Sequence, residues 1–221
     1  MTAAVFTVIG DLVGSRTLPD RAAAQRALQQ AVTVVNDTVP VAQPFEPTVG
    51  DEYQGACASL PDAVLAALLV RLQLLPVVDV RCGIGFGPVT VHDADRTPLL
   101  QDGPGWWSAR DAIETLDRRR DTLRSWFAGP DDGLVNAYLL CRDSLVDRLN
   151  ERGVRILRLA LLGHSQKEIA ELEGIWPSAV SQQFSRTVGA LVESSRSFAA
   201  WAPAGTPGET ASTTGTEGAG S

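Results

Sequence analysis

Two acidic positions in this 221-residue chain have the type and setting to do chemistry. Asp11 closes the apolar stretch Val8-Ile9-Gly10-Asp11 and opens the segment Leu12-Val13-Gly14-Ser15-Arg16. Asp51 and Glu52 sit in Glu46-Pro47-Thr48-Val49-Gly50-Asp51-Glu52-Tyr53-Gln54-Gly55, just after a glycine and between apolar runs. Carboxylates placed so cost stability unless something outside the core uses them. Asp11 and Asp51, joined by the backbone carbonyl of Leu12, form an oxygen-only donor set suited to Mg2+ (or Mn2+), a hard cation that keeps positions for water and phosphate oxygens. The segment Leu12–Thr17 would add backbone N–H groups, with Gly14, Ser15 and Arg16 beside the metal. That combination suits a triphosphate.

Whether the two aspartates can meet depends on the elements that carry them. Ala3–Ile9 is a short β-branched run that reads as a buried strand. Asp20 caps a helix to about Val35, stopped by Asn36-Asp37 and Pro40. Phe45 to Val49 and Tyr53 to Ser59 read as two strands joined at Gly50-Asp51. Pro61-Asp62 starts a helix to about Leu75, and Val77–Gly85 returns as a strand. This order is the βαββαβ ferredoxin-like unit. Its first crossover makes the first two strands parallel, which brings their C-terminal ends, and so Asp11 and Asp51, to one edge of the sheet.

In and just after the last of these strands, Gly83, Gly85 and Gly87 fall on one strand face and allow a helix to pack closely. Trp106 to Trp126 reads as a charged helix whose Arg118-Arg119-Arg120 cluster is a solvated face. Trp106 and Trp107 would stack a base or anchor that helix; the sequence leaves both open. Gly129-Pro130-Asp131-Asp132-Gly133 breaks the pattern, and Leu134–Leu149 is a second amphipathic helix.

Net charge is −7, with 19 basic and 26 acidic residues, which excludes a protein that coats nucleic acid by charge alone. Cys57, Cys82 and Cys141 lie in apolar surroundings and read as buried thiols of a reducing compartment, with neither a disulfide frame nor a zinc site. The longest apolar region, Ala63–Val78, is interrupted by Arg71 and Gln73, too short and too marked to span a bilayer. No signal peptide is evident, so the expected location is the cytoplasm, with no membrane partner.

These residues carry a resemblance. Ile9-Gly10-Asp11-Leu12-Val13-Gly14-Ser15, then Val49-Gly50-Asp51-Glu52-Tyr53, then Val80 to Val89 resemble, in this order, the core of class III nucleotidyl cyclases, and the hairpin resembles the signature turn of diguanylate cyclases. Gly50-Asp51-Glu52-Tyr53-Gln54-Gly55, with Asp102-Gly103-Pro104 and Ala109-Arg110, is similar to the SatD family over roughly residues 3–195. The cyclase resemblance implies that Asp11 and Asp51 bind metal, that a site forms across a homodimer, that Asp102 reads a purine, and that Arg110 stabilises a transition state. The chain departs from the pattern where an asparagine is expected, since Trp106-Trp107-Ser108 fills that region. Val49 also replaces the first glycine of the diguanylate signature.

The C-terminal part changes character. Ser165-Gln166-Lys167-Glu168 is a capping box that opens a short helix. After Glu173-Gly174-Ile175-Trp176-Pro177, Ser178 starts a helix with Val180, Phe184, Val188 and Leu191 on its buried side. This is a helix-turn-helix pattern, resembling the tetrahelical or sigma-like readers of bacterial regulators. Ser178, Ser181, Gln182, Gln183, Ser185 and Arg186 would face base edges, with Gln166 and Lys167 near phosphates. Residues 151–201 hold six basic and five acidic side chains, so any DNA contact is local.

The sequence thus predicts an α+β protein: a ferredoxin-like, nucleotidyl cyclase-like palm over residues 1–128, an all-α helix-turn-helix bundle over 129–201, and a disordered tail over 202–221. The expected function is a homodimeric, DNA-binding transcriptional regulator whose palm senses a purine nucleotide with Mg2+. The alternative is an active nucleotidyl cyclase or nucleotidyltransferase controlled by its C-terminal helices.

Overall fold

The structure is a computed structural model and describes residues 4–48, 50–93, 95–96, 98–119 and 123–201. The expected tail over 202–221 lies outside the described residues, as does Arg120 of the arginine cluster. In chain order the elements are β1 (Ala4–Leu12), α1 (Arg21–Thr38), β2 (Val41–Pro47), β3 (Glu52–Cys57), α2 (Leu60–Leu74), β4 (Val80–Pro88), β5 (Thr90–Asp93), β6 (Leu100–Asp102), α3 (Pro104–Arg119), β7 (Ser125–Ala128), α4 (Asp132–Val146), α5 (Glu151–Leu161), α6 (Gln166–Glu173), α7 (Pro177–Gln183) and α8 (Gly189–Ala199). A 3-10 turn, Ser15–Thr17, precedes α1, and a π-helical segment, Phe184–Val188, joins α7 to α8.

The first four strands form the expected palm. Strand order is β2-β3-β1-β4, with β1 antiparallel to both β3 and β4 and β2 antiparallel to β3. β1 and β2 therefore run in the same direction with β3 between them, and their C-terminal ends share an edge. β1 is longer than its apolar run suggests. It continues through Asp11 to Leu12, because Asp11 pairs with Glu52 on one side and Arg81 on the other.

The two sheet faces are covered differently. On one face, Phe6, Val8 and Leu12 of β1 pack with Leu28, Val32 and Val35 of α1 and with Ala63 and Ala67 of α2. The opposite face carries Ile9, Val89 and the α3 residues Trp106, Ala109 and Ile113. α3 lies almost on the β4 backbone: a Cβ at Gly83 would stand 2.2 Å from the Ala109 carbonyl oxygen, and one at Gly85 2.2 Å from the Ala109 nitrogen. The glycines on this strand face serve helix packing, as their alternation predicts.

Local capping explains the helix starts. The Asp20 carboxylate accepts from the Ala23 N–H at 2.8 Å. α1 passes the expected stop at Asn36 because that side chain serves the sheet instead, donating to the Phe45 carbonyl at 2.9 Å and accepting from the Phe45 N–H at 2.7 Å. Ser59 caps α2 through the Asp62 N–H.

Two expectations are overturned, and one hairpin is additional. Trp126 is not helical: it lies in β7, a fifth strand parallel to β4, paired from Cys82–Ser125 to Gly85–Ala128. Asn136 of α4 then clamps both backbone groups of Phe127, each at 2.8 Å. The segment between β4 and α3 also holds an antiparallel hairpin, β5-β6, that no periodicity announced. Finally, Cys57 and Cys82 are buried but Cys141 is exposed, since its position on α4 faces away from the core.

Of the helices after β7, α4 joins the sheet's core through Val135 and Leu139, while α5 and α8 pack on the palm through α2. Leu68 and Leu72 of α2 join a second core with Val154, Ile156 and Leu157 of α5 and Leu191 and Val192 of α8. Other residues of the same helix, including Ala63, Val64, Ala67 and Val70, belong to the sheet's core. α2 is thus apolar nearly all round because it is covered on both sides, the expected pattern for a fully buried helix. No helix among the described residues is long and apolar enough to cross a membrane.

Candidate functional site

The edge where β1 and the β2–β3 turn end is built by register. The Leu12 N–H donates to the Asp51 carbonyl at 3.2 Å, which fastens the turn to the end of β1. Gly50 supplies the left-handed conformation the turn needs, with φ +84°. On the other side the Val13 N–H donates to the Asp79 carbonyl at 2.9 Å, so the segment leaving β1 is held from both flanks.

Side chains on this edge form a charged cluster. Arg81 donates from Nη2 to Asp11 Oδ2 at 2.7 Å and from Nη1 to Asp117 of α3. Arg110 of α3 makes a two-pronged pair with Glu52, both contacts at 3.0 Å. The Ser15 hydroxyl donates to Asp51 Oδ2. Asp11, Asp51, Glu52 and Asp117 thus face two arginines, leaving a local excess of negative charge for a cation to balance. The sequence named no partner for Glu52 and did not pair Arg81 with Asp11. The strand register carried the second signal, since paired positions on neighbouring strands share a face.

Burial raises the Asp11 pKa above the usual carboxylate value. The Arg81 hydrogen bond opposes this, and the nearby charges of Asp51 and Glu52 reinforce it. Like-charge crowding of this kind is relieved by a bound cation. A carboxyl whose folded pKa lies above its unfolded value near 3.8 binds its proton more tightly in the folded state, so stability falls as pH rises through that window. In metal-free buffer, Asp11→Asn is therefore expected to gain melting temperature relative to wild type as pH rises from about 4 to neutrality. Thermal melts of both proteins across that range check it; a difference that stays flat or reverses rules it out.

Among the described residues no group of three or more His, Cys, Asp or Glu side chains is disposed to hold a metal ion. Asp11, Asp51 and Glu52 are engaged by Arg81, Ser15 and Arg110 respectively, and a hard cation held by the first two carboxylates would need water or phosphate oxygens to complete its coordination.

The segment after β1 presents Gly14 in the left-handed region, φ 67°, and a Ser15 that is buried. The Arg16 side chain lies outside the described residues. The niche enclosed by Leu12, Ser15, Leu18, Arg21, Gln25 and Asp51 holds only about 10 Å³, room for one water. The niche has no room for a triphosphate. Asp102 uses its Oδ1 to accept from the Gly103 N–H at 2.8 Å and the Trp107 indole N–H at 2.7 Å, and so holds an aromatic ring.

The helix-turn-helix residues are distant in sequence and form a separate surface. Ser165 and Glu168 make the reciprocal capping box that opens α6. Gly174 ends α6 in the left-handed region, φ 63°, and the Ile175 N–H donates to the Ala170 carbonyl at 3.0 Å. Gln166 and Lys167 are exposed on α6; Ser178, Ser181 and Gln182 are exposed on α7 with Gln183 half-buried; Ser185 and Arg186 are exposed on the π segment. Val180, Val188 and Leu191 are buried as their spacing predicts, with Phe184 only partly so. The Ser185 hydroxyl bonds back to the Gln182 carbonyl at 3.1 Å.

Fold and site together define a ferredoxin-like palm with paired acids at one sheet edge, followed by a helical bundle. The description SatD family matches residues 5–130, more than half of the chain. The chain belongs to the SatD family. The match ends before α4, so the helices beyond lie outside it. No curated protein matches the sequence. Among solved structures, the chain is similar to a bacterial light-regulated adenylyl cyclase at 13% identity and TM-score 0.45, over 57% of this chain and 76% of that one. It is also similar to the catalytic core of a rhodopsin-guanylyl cyclase with converted specificity in complex with ATPalphaS, at 20% identity and TM-score 0.40, over 52% and 73%. An EAL/GGDEF domain protein from M. capsulatus aligns at 16% identity and TM-score 0.42, over 57% and 86%.

Proposed function

We propose that this protein is a nucleotide-sensing regulator: the palm over 1–128 binds a nucleotide with Mg2+, and the helical unit over 129–201 reads DNA, in a homodimer. The observation that supports the first half best is the fastening of Asp51 to the end of β1 beside Asp11, which sets two carboxylates at an open sheet edge. Asp11 and Asp51 would hold the ion, which would screen the phosphates and orient them; Ser15 positions the Asp51 carboxylate and Arg81 that of Asp11. The DNA half rests on the exposed polar side chains Ser178, Ser181 and Gln182 at the start of α7, behind a capped α6.

Arg110, the candidate transition-state residue of the cyclase alternative, is committed to Glu52 at both nitrogens. With Trp106-Trp107-Ser108 where an asparagine is expected, binding is favoured over turnover.

Mg2+ plus ATP or GTP is expected to raise the melting temperature of the whole chain, and Asp51→Asn to abolish the rise. In the same preparation, gel shifts with genomic fragments should change with nucleotide and be lost in Lys167→Glu/Arg186→Glu. An unchanged melt with every nucleotide sinks the sensing half. Fragments bound equally by wild type and the double variant, or by neither, sink the DNA half.

A further inference from the structure

A cleft lies beside the acidic edge, on the α3 face of the sheet. Its floor is Ile9 of β1 and Gln54 of β3, a directly paired position, and its walls include Gln101 of β6 and Trp106, Trp107 and Arg110 of α3. The volume is about 280 Å³, at the lower end for small-ligand sites. Ile9 and Gln54 are one step along the strands from the Asp11–Glu52 pair on the same face, about 7 Å away. Arg110 touches both places, lining the cleft and gripping Glu52.

Trp107 is the unusual wall. It is 58% exposed, a large ring left in water, yet its orientation is fixed by the indole hydrogen bond to Asp102. Behind the surface, the Trp106 indole nitrogen and the Gln101 side-chain oxygen are buried with no hydrogen-bond partner among the described residues, one donor and one acceptor unused by the fold. Gln54 adds a side-chain amide that both donates and accepts. A pinned aromatic face with unspent polar groups nearby matches a flat heterocycle with polar edges.

We infer that this cleft takes the base of a nucleotide, stacked on Trp107, with the phosphates reaching the Asp11–Asp51 edge. The inference rests on the nucleotide reading above and adds where the base sits. Trp107 is the stacking surface, Asp102 its positioning residue, and the amide of Gln54 meets the base edge, with Gln101 in the wall beside it. Because amides serve as donor or acceptor, the cleft recognises a base without strongly distinguishing one purine from another.

Isothermal titration of the full chain in Mg2+ with ATP, GTP and inorganic tripolyphosphate tests it, alongside NMR saturation transfer to adenosine and guanosine. Trp107→Ala should weaken triphosphate nucleotides about tenfold, the scale of one lost stacking contact, and leave tripolyphosphate unchanged. Asp102→Asn should weaken the nucleotides less, and Asp51→Asn should weaken tripolyphosphate and nucleotide alike. Saturation transfer to nucleosides in wild type, lost in Trp107→Ala, supports the cleft even if tripolyphosphate fails to bind and the metal site falls. Nucleotides bound no better than tripolyphosphate and indifferent to Trp107→Ala overturn the cleft while leaving the metal site standing. Nucleosides that give no transfer in either protein also overturn it.

Discussion

Asp79→Ala is expected to destabilise the protein by about 1.5–3 kcal/mol, the cost of losing hydrogen bonds to a charged group while Arg71 keeps Asp147 and Asp143 as partners. Asp79 stands at the start of β4 and is the hub of an ionic network beneath the acidic edge. Its Oδ1 accepts from Arg71 Nε at 2.8 Å and from the Val80 N–H at 2.9 Å; its Oδ2 accepts from Arg71 Nη2 at 3.1 Å and Arg124 Nε at 2.7 Å. Arg71 is only 3% exposed, and its other contacts are Asp147 at 2.5 Å and Asp143 at 3.9 Å. Burial works against its charge, but the hydrogen bonds and charge of Asp79, with Asp143 and Asp147, more than offset this and hold its pKa above the ordinary arginine value. Asp79 shows the complement: burial raises its pKa, but hydrogen bonds and charge from Arg71, then Arg124, bring it below the usual value.

A depressed folded pKa contributes stability that is present above about pH 3.8 and lost as pH falls through the folded value. The Asp79→Ala penalty should therefore be full at neutral pH and shrink towards pH 3. At about 2–4 °C per kcal/mol for a chain of this size, the neutral-pH loss in melting temperature is about 3–12 °C. A loss under about 3 °C would show that the network contributes little to net stability.

Gly85→Ala is expected to be comparably severe for a steric reason. The added Cβ would meet the Ala109 nitrogen at 2.2 Å, the Gly105 carbonyl oxygen at 2.4 Å and the Ala109 Cα at 2.9 Å. All three are backbone atoms, so no rotamer change relieves the clash and α3 must lift from the sheet. Lifting it uncovers Ile9, Val89 and Ile113 and displaces Trp106. Overpacking costs about 1–3 kcal/mol where side chains can give, so about 3 kcal/mol or more is expected here. Near-UV circular dichroism should weaken along with the melt, since Trp106 and Trp107 ride on this helix. Gly133→Ala, in α4 with nothing within 4 Å of its added Cβ, is the control and should be neutral or slightly stabilising. Equal melts for the two variants would contradict the packing account.

What the sequence made legible was local or fixed by topology. The α6 capping box needs only four consecutive residues, and both of its reciprocal bonds are present. That the end of β1, with Asp11, and the turn bearing Asp51 share one sheet edge follows from the order of six elements, because strand direction after a crossover leaves little choice. The strand at Ser125–Ala128 was missed because four residues carry no resolvable period and its partner β4 lies some forty residues upstream. The Arg81–Asp11 and Arg110–Glu52 pairs span 70 and 58 positions, and nothing local marks one arginine among many as the partner of a given acid. The sequence predicts a helix from Pro61 to about Leu75 but not that it is covered on both sides, although its apolar character, interrupted only by Asp62, Arg71 and Gln73, is the sign of it.

Helix α2 also bears on the history of the architecture. Leu68 is 1% exposed and Leu72 is fully buried, and both are covered by the helices that follow β7, beyond the residues the SatD description matches. A relative that ended near residue 130 would turn this stripe to solvent. Such a chain must carry polar side chains at the positions of Leu68 and Leu72, or cover them with a different appendage or a second subunit. Those two positions therefore serve as a marker: their hydropathy in a homologous palm announces whether a C-terminal cap was ever part of it.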